Sequence, residues 1–336
     1  MKNAFLRYII LRVLQCLMVI FVGITVTFMI PRFTPVDPVE QAITRMTMFQ
    51  QSTHPEALEE MRASLATLYG LEGSVFEQYL GFWGRLFRGD LGPSLSSFPR
   101  PVMTLIRTSL PWTAGLLLTS TIIAWSLGNI IGAFAGYFHH KKWSQVLGVM
   151  ALVVWPIPYY IFAFLLLVLL AYVIPIFPLS GAFAIGSSPG LNWNFISSVL
   201  RHGFLPALSI VAIGFGGQFL GMRSLVSNVI SEDYILYAEI AGVPNHRILK
   251  NYVIRNALLP QITGLALQLG MIFNGAMITE FVFSYPGIGY LAYTAIFSGD
   301  FGLIMGIAIF SIVAVALAVL IIDLLYPVFD PRVKLR

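Results

Sequence analysis

Six long, mostly apolar runs constrain this chain more than any other feature. The first, "YIILRVLQCLMVIFVGITVTFMI", covers Tyr8–Ile30. The others cover Leu110–Phe138, Gln145–Ile174, Phe204–Val226, Ala257–Phe283 and Phe301–Val328. About 20 apolar residues wound as a helix cross the hydrocarbon core of a bilayer. Soluble domains carry about a quarter charged residues, whereas this 336-residue chain is 57% hydrophobic and 10% charged. The expectation is therefore an all-α integral membrane protein with six transmembrane helices. The first run follows a basic start and is longer than the 7–15 apolar residues of a cleaved signal, so it is expected to be retained. The third run contains "WPIPYY", where Pro156 and Pro158 remove backbone donors and are expected to kink or break the helix.

Lysine and arginine set the expected orientation, because short cytoplasmic loops are enriched in them. With the N-terminus inside, all five lysines (Lys2, Lys141, Lys142, Lys250, Lys334) fall on the inner side. Arg7, Arg12, Arg223, Arg247, Arg255, Arg332 and Arg336 join them. Both termini are expected to be cytoplasmic, in a bacterial or archaeal inner membrane.

Three stretches follow: 1–30 with the first helix, 31–109 outside, and a five-helix core at 110–336 that includes a polar inner loop, 230–256. The long extracytoplasmic loop contains "THPEALEEMRASLATLYG", an amphipathic helix with Leu58, Met61, Leu65 and Leu68 at helical spacing. Thr53 and Glu56 fit a capping box, Pro55 sits in the first turn, and Gly70 stops the helix. A second run, "VFEQYLGFWGRLF", leads into turn-rich "RGDLGPSLSSFPRPV". The loop is read as a structural cap over the membrane part, with docking of an extracytoplasmic partner as the functional alternative.

Several chemistries are disfavoured. Ion-coupled transporters use ionisable groups within the membrane, and here Glu280 and Asp323 stand only near helix ends, where each is read as an interfacial cap or pairing residue. An ion-coupled secondary transporter or channel remains the alternative reading. No HExxH or GxxxxGK[ST] pattern occurs. The five histidines are adjacent (His139, His140) or scattered (His54, His202, His246), and the single cysteine, Cys16, has no companion. No catalytic residue, metal site or cofactor is expected in this chain, so an energised process needs a separate subunit. Gly128, Gly132 and Gly136, and again Gly214, Gly217 and Gly221, are spaced to share helix faces and favour a tight bundle.

One polar stretch interrupts the apolar pattern: "YAEIAGVPNHRILKNYVIRNALLP", Tyr237 to Pro260. A short helix is expected to end at Gly242–Pro244, and a second to start with Asn245 as N-cap. In the second, Ile248, Leu249, Tyr252 and Val253 form one face, and Arg247, Lys250, Asn251 and Arg255 the other. An inner-leaflet helix with its basic face to lipid would show the same periodicity. It would need no Gly-Val-Pro corner.

This stretch resembles the cytoplasmic coupling loop of ABC importer permeases, and the likeness runs through most of the chain. "QYLGFWGRLFRGDLGPS", "RPVMTLIRTSLPWTAGLLL", "FLPALSI", "AEIAG", "RNALLP", "TEFVFSYPGIGYLAYTAIFSGDF" and "DLLYPVFDPRVK" occur in order, as in the dipeptide/oligopeptide/nickel family and its B-type subunit. The resemblance implies a type I importer permease fold and a permease that is not itself an enzyme. It implies ATPase-coupling roles for Tyr237, Ala238, Glu239, Ala241, Gly242, Val243, Pro244, Asn245 and Arg247. It also implies structural roles for Asn256, Pro260, Glu280, Pro286, Gly287, Gly289, Asp323, Asp330 and Pro331. Leu236, Tyr237 and Ala238 depart from the broader Glu-Ala-Ala motif, and Glu239 and Ala241 stand where this branch favours basic residues. The implied partners are a second homologous permease, two cytoplasmic ATPases carrying ATP and Mg, an extracytoplasmic solute-binding protein and membrane lipid, with no nucleic acid. The family imports peptides, and in some members oligosaccharides or nickel chelates. Trp112, Trp125, Trp155, Tyr159 and Tyr160 could suit sugars, but are read first as interfacial and lipid-contacting belts.

Overall fold

A computed structural model describes residues 2–33, 39–40, 43–44, 55–70 and 72–329. Five of its helices are long and apolar enough to span a membrane, and a sixth span is bent. Two unbent spans are α1 (Lys2–Phe33) and, after the short α2 (Pro55–Tyr69) and α3 (Val75–Phe87), α4 (Val102–Tyr137). The bent span is α5 (Lys142–Val154) plus α6 (Tyr159–Val173), which meet at 94°. The break falls at Trp155–Pro158, as the two prolines require. The all-α fold class and the multi-pass membrane character therefore hold. With no water at membrane depth, helices are the economical way for such segments to satisfy their own backbone.

Three span boundaries differ from expectation. Helix α4 starts at Val102 rather than Leu110, because Pro101 presets an extended entry and Pro111 is accommodated inside the helix. Helix α7 (Trp193–Ile230) starts well before Phe204, since the Asn192 side chain accepts the Phe195 N–H at 2.8 Å and caps it. The fifth span is α9, Asn245–Phe273, not Ala257–Phe283. It ends because Gly275 takes a left-handed φ of 73°. Short helices α10 (Met277–Val282) and α11 (Ile288–Phe297) follow before α12 (Phe301–Phe329).

Helices α4 and α7 form the most extensive interface. The glycine stripe on α4 makes it possible. A Cβ at Gly128, Gly132 or Gly136 would lie 2.5 Å from Gln218, 2.6 Å from the Phe219 carbonyl or 2.8 Å from the Arg223 carbonyl, respectively. Between apolar helices in lipid, close approach supplies the dispersion contact that a hydrophobic driving force cannot. The α7 glycines work differently. Gly214 meets Ala124, Gly217 meets the Trp155 indole, and Gly221 meets Gln261, so they admit three neighbours.

Helix α1 lies along α12. Gly23 packs on Ile312, the buried Cys16 thiol points at the Ala316 carbonyl (3.5 Å), and Arg12 pairs with Asp323 at 3.2 Å. Tyr8 also donates to the Asp323 carbonyl at 2.8 Å, so Asp323 joins first helix to last. Helix α3 clamps the other end of α1. Tyr79 and Trp83 pack on Phe28 and Phe21, and the Tyr79 hydroxyl meets Thr25 at 2.8 Å. A Ser74–Glu77 capping box starts α3. On α2, Leu65 is buried against Val39, but Leu68 is exposed and does not share that face. Thr53, and with it the Thr53–Glu56 capping box, lies outside the described residues, as do Asp330 and Pro331.

The stretch 90–101 is knotted to the α11–α12 turn. The Asp300 carboxylate, fully buried, accepts from the Ser94 hydroxyl, the Ser96 hydroxyl and amide, and the Leu303 amide that opens α12. "GDLGPS" and "SGDF", distant in sequence, are thus one structural unit.

Candidate functional site

At the end of the bundle that holds the Lys141–Lys142 turn, α7 stops at Ile230 and the short helix α8, Asp233–Ile240, follows. Ile235 and Ala238 of α8 are buried in a cluster with Met222, Val226, Ile248, Leu249 and Val253. The opposite side is bare although it carries apolar residues: Leu236 is 55%, Tyr237 70% and Ile240 74% exposed. Asp233 and Glu239 are the exposed polar residues of this helix, so apolar side chains make up much of its uncovered side.

The corner after α8 is a Schellman motif. The Val243 N–H donates to the Ala238 carbonyl (3.0 Å) and the Gly242 N–H to the Glu239 carbonyl (2.9 Å), with Gly242 at φ 73°. Val243 packs onto the same cluster as Ala238, the apolar contact that accompanies this motif. Pro244, not Asn245, is the N-cap of α9. Its carbonyl accepts from the Arg247 and Ile248 amides at 2.8 and 3.2 Å, and its extended ψ of 141° sets the helix start. Asn245 is therefore the first helical residue. Helix α9 then runs through a π stretch, Ile248–Ile254, into the span. Ile248, Leu249 and Val253 are buried as the periodicity predicts, whereas Tyr252 is exposed beside Lys250 and Asn251.

Tyr237, Glu239, Ala241, Gly242, Pro244, Asn245 and Arg247 all lie exposed on this one projecting corner. Ala238 and Val243 turn inward and hold it. Sequence reasoning missed Leu236 and Ile240, the apolar neighbours of Tyr237 on the bare face. The available signal was an eight-residue helix with apolar residues on both its sides, Ile235 and Ala238 on one and Leu236, Tyr237 and Ile240 on the other. Asn256 braces the corner, donating to the Tyr252 carbonyl at 2.7 Å and to the Tyr234 hydroxyl at 3.4 Å. Pro260 follows within α9, where the neighbouring Gln261 carbonyl accepts the Trp125 indole N–H at 3.0 Å.

At the opposite end Glu280 gathers the other motif residues, and here the interfacial reading is corrected. Glu280 is fully buried on α10. Its Oε1 accepts from the Thr113 hydroxyl (2.8 Å) and the Ala276 amide (3.4 Å), and its Oε2 from the Tyr290 amide (3.1 Å). Thr113 in turn accepts from the Ile288 amide at 2.7 Å. A Cβ at Gly287 would lie 2.2 Å from the carboxylate, and one at Gly289 2.5 Å from the Met277 Cα. The "YPGIGY" turn, with Pro286 ahead of Gly287, is wrapped around an anionic hub whose charge is met by hydrogen bonds. Beside it, burial pushes the Tyr285 hydroxyl up to about 12, with the Glu280 charge adding to the shift.

The aromatic residues are used largely in packing. Trp112 stacks on Phe183 and meets Tyr285 edge-on, while Trp155 covers Gly216 and Gly217. Among the described residues no group of three or more His, Cys, Asp or Glu side chains could hold a metal ion.

A family model described as "Binding-protein-dependent transport system inner membrane component" matches residues 128–335. The oligopeptide transport system permease protein AppB of Bacillus subtilis is 31% identical, over 97% of this chain and 99% of its own length. The probable D,D-dipeptide transport system permease protein DdpB of Escherichia coli is 29% identical over 94% of each chain. The dipeptide transport system permease protein DppB of Escherichia coli is 29% identical over 97% of this chain and 98% of its own.

Proposed function

The chain belongs to the family of binding-protein-dependent transport system inner membrane components, and on that premise we propose that it forms half of the membrane path of an ATP-driven peptide importer. Three relatives named for oligopeptide, D,D-dipeptide and dipeptide transport support the substrate class. In this reading a second homologous permease supplies the other half of the path. An extracytoplasmic solute-binding protein delivers the peptide. Two cytoplasmic ATPase subunits bind ATP and Mg, and this chain is a non-catalytic subunit with both termini in the cytoplasm.

The single observation that carries the coupling role is the bare apolar face of α8, with Leu236, Tyr237 and Ile240 exposed on a helix whose other face is already buried. An apolar side chain gains about 1.5–3 kcal/mol on full burial, so three of them favour a covering partner. Association also costs ordering, which this helix has met in advance through its buried face and its Schellman corner. Motion of a partner gripping the corner passes into the fifth span, because α9 begins at the corner and continues into the core. The π stretch Ile248–Ile254 lies between the two, and such turns recur at functional sites.

Co-expression of the whole importer tests this reading. Leu236→Ser together with Ile240→Ser is expected to strip the ATPase from the purified complex while the chain still inserts. Full retention of the ATPase by that variant would overturn it.

A further inference from the structure

A cavity of about 540 Å³ opens beside the last turns of α7, lined by His139, Arg223, Ser224, Ser227 and Asn228. Its polar lining contains no acid. The Arg223 guanidinium is half-buried and lies against α5, where a Cβ added at Gly148 would sit 2.0 Å from Nη1. Gly148 thus leaves room for a cation on the helix backbone. Among the described residues this guanidinium has neither a carboxylate partner nor a hydrogen bond. His139, in the α4–α5 turn, also lines the cavity. The Ser227 hydroxyl donates to the Arg223 carbonyl at 3.0 Å and keeps acceptor capacity only. Ser224 and Asn228 remain as exposed donors. A partly buried guanidinium without a counter-charge, with two exposed donors on the same cavity wall, is an incomplete site. What completes it is an anion with several acceptor oxygens.

We propose that this cavity binds a phosphate group. The chemistry is shared by an anionic lipid headgroup and by free inorganic phosphate. The surroundings suit the headgroup: Leu220 and Ile230 give an apolar wall, and Val146, Val149 and Val153 of the adjoining α5 are exposed as lipid-facing side chains. Lys141 and Lys142, exposed and close to His139 in the chain, add positive charge to this turn. A bound phosphate ties the end of α7 to the α4–α5 turn, immediately before the chain enters α8. The family reading enters only in placing this end at the inner leaflet, and the binding measurement does not depend on it.

The test is melting of the delipidated full chain in detergent, titrated with phosphatidylglycerol, with diacylglycerol (which has no phosphate) and with inorganic phosphate. Arg223→Gln removes the charge. Ser224→Asp, on an exposed face, places a carboxylate in the cavity. Phosphatidylglycerol is expected to stabilise the parent chain where diacylglycerol does not, with half-saturation raised about tenfold or more in both variants. If inorganic phosphate alone gives the same difference, the site stands and its ligand is the free anion. Should parent and both variants respond alike, or none respond, the site is refuted. Melting without added anion shows separately that the variants fold.

Discussion

Ser94 and Asp300, 206 residues apart, are joined by a buried hydrogen bond in which the Ser94 hydroxyl donates to the Asp300 carboxylate. The same oxygen accepts from the Ser96 hydroxyl and amide, and the other oxygen caps α12 through the Leu303 amide. Removing the carboxylate leaves several buried donors without an acceptor. Asp300→Ala is expected to cost about 3 kcal/mol, read as a lower melting temperature in detergent. Asp300→Asn keeps one acceptor oxygen and should recover part of the loss. The ATPase should still co-purify with both, because the α8 corner lies at the other end of the bundle.

Gly242 is needed for its conformation and not for space: its φ is 73°, and an added Cβ would meet nothing within 4 Å. Gly242→Ala is therefore expected to cost about 1–2 kcal/mol through the backbone. Asn, which tolerates this region, should cost less, and β-branched Val more. ATP hydrolysis by the assembled importer should fall in the order Gly, Asn, Ala, Val. Equal activity for Ala and Val would point away from the corner.

The Glu280 hub makes the reverse case, where space and charge both count. Gly287→Ala would drive a methyl to 2.2 Å from the carboxylate and should abolish a stable fold. Glu280→Gln sets an amide N–H against either the Tyr290 amide or the Thr113 hydroxyl, so about 1–3 kcal/mol is expected to be lost. Urea denaturation in mixed micelles would measure both.

Acid should loosen α3. The Ser74 amide, then its hydroxyl, hold the Glu77 carboxyl below its usual 4.5. A depressed carboxylate contributes stability that is present above the unfolded value and is lost as pH falls through the folded one. Amide exchange across residues 75–87 should be independent of pH near neutrality once intrinsic rates are removed. Protection should fall below about pH 4.5, and Glu77→Gln should show low protection throughout.

The apolar runs made the spans legible, and Pro156 with Pro158 made the bend legible, because both signals are local. Span ends were not. Asn192 and Pro101 extend α7 and α4 past their apolar runs, and capping is invisible to hydropathy. Position in the apolar run alone makes Glu280 look interfacial, whereas its partners Thr113 and Tyr290 come from other helices and leave no local signal. The corner at Gly242 was visible as a turn. Pro244 displaced Asn245 as N-cap because its fixed φ already presents the helix start. The bare side of α8 is not legible, since which of its apolar residues are buried depends on Met222 and Val226 of α7.

Uptake into proteoliposomes tests the central claim, that the bundle moves solute only when an ATPase grips the α8 corner. Vesicles would hold this chain with its companion permease, and a mixture of radiolabelled di- to pentapeptides would be supplied with the binding protein. With the ATPase and ATP present, peptide is expected to accumulate against its gradient; with the ATPase left out, none should. Accumulation in vesicles containing this chain and no ATPase would contradict the account.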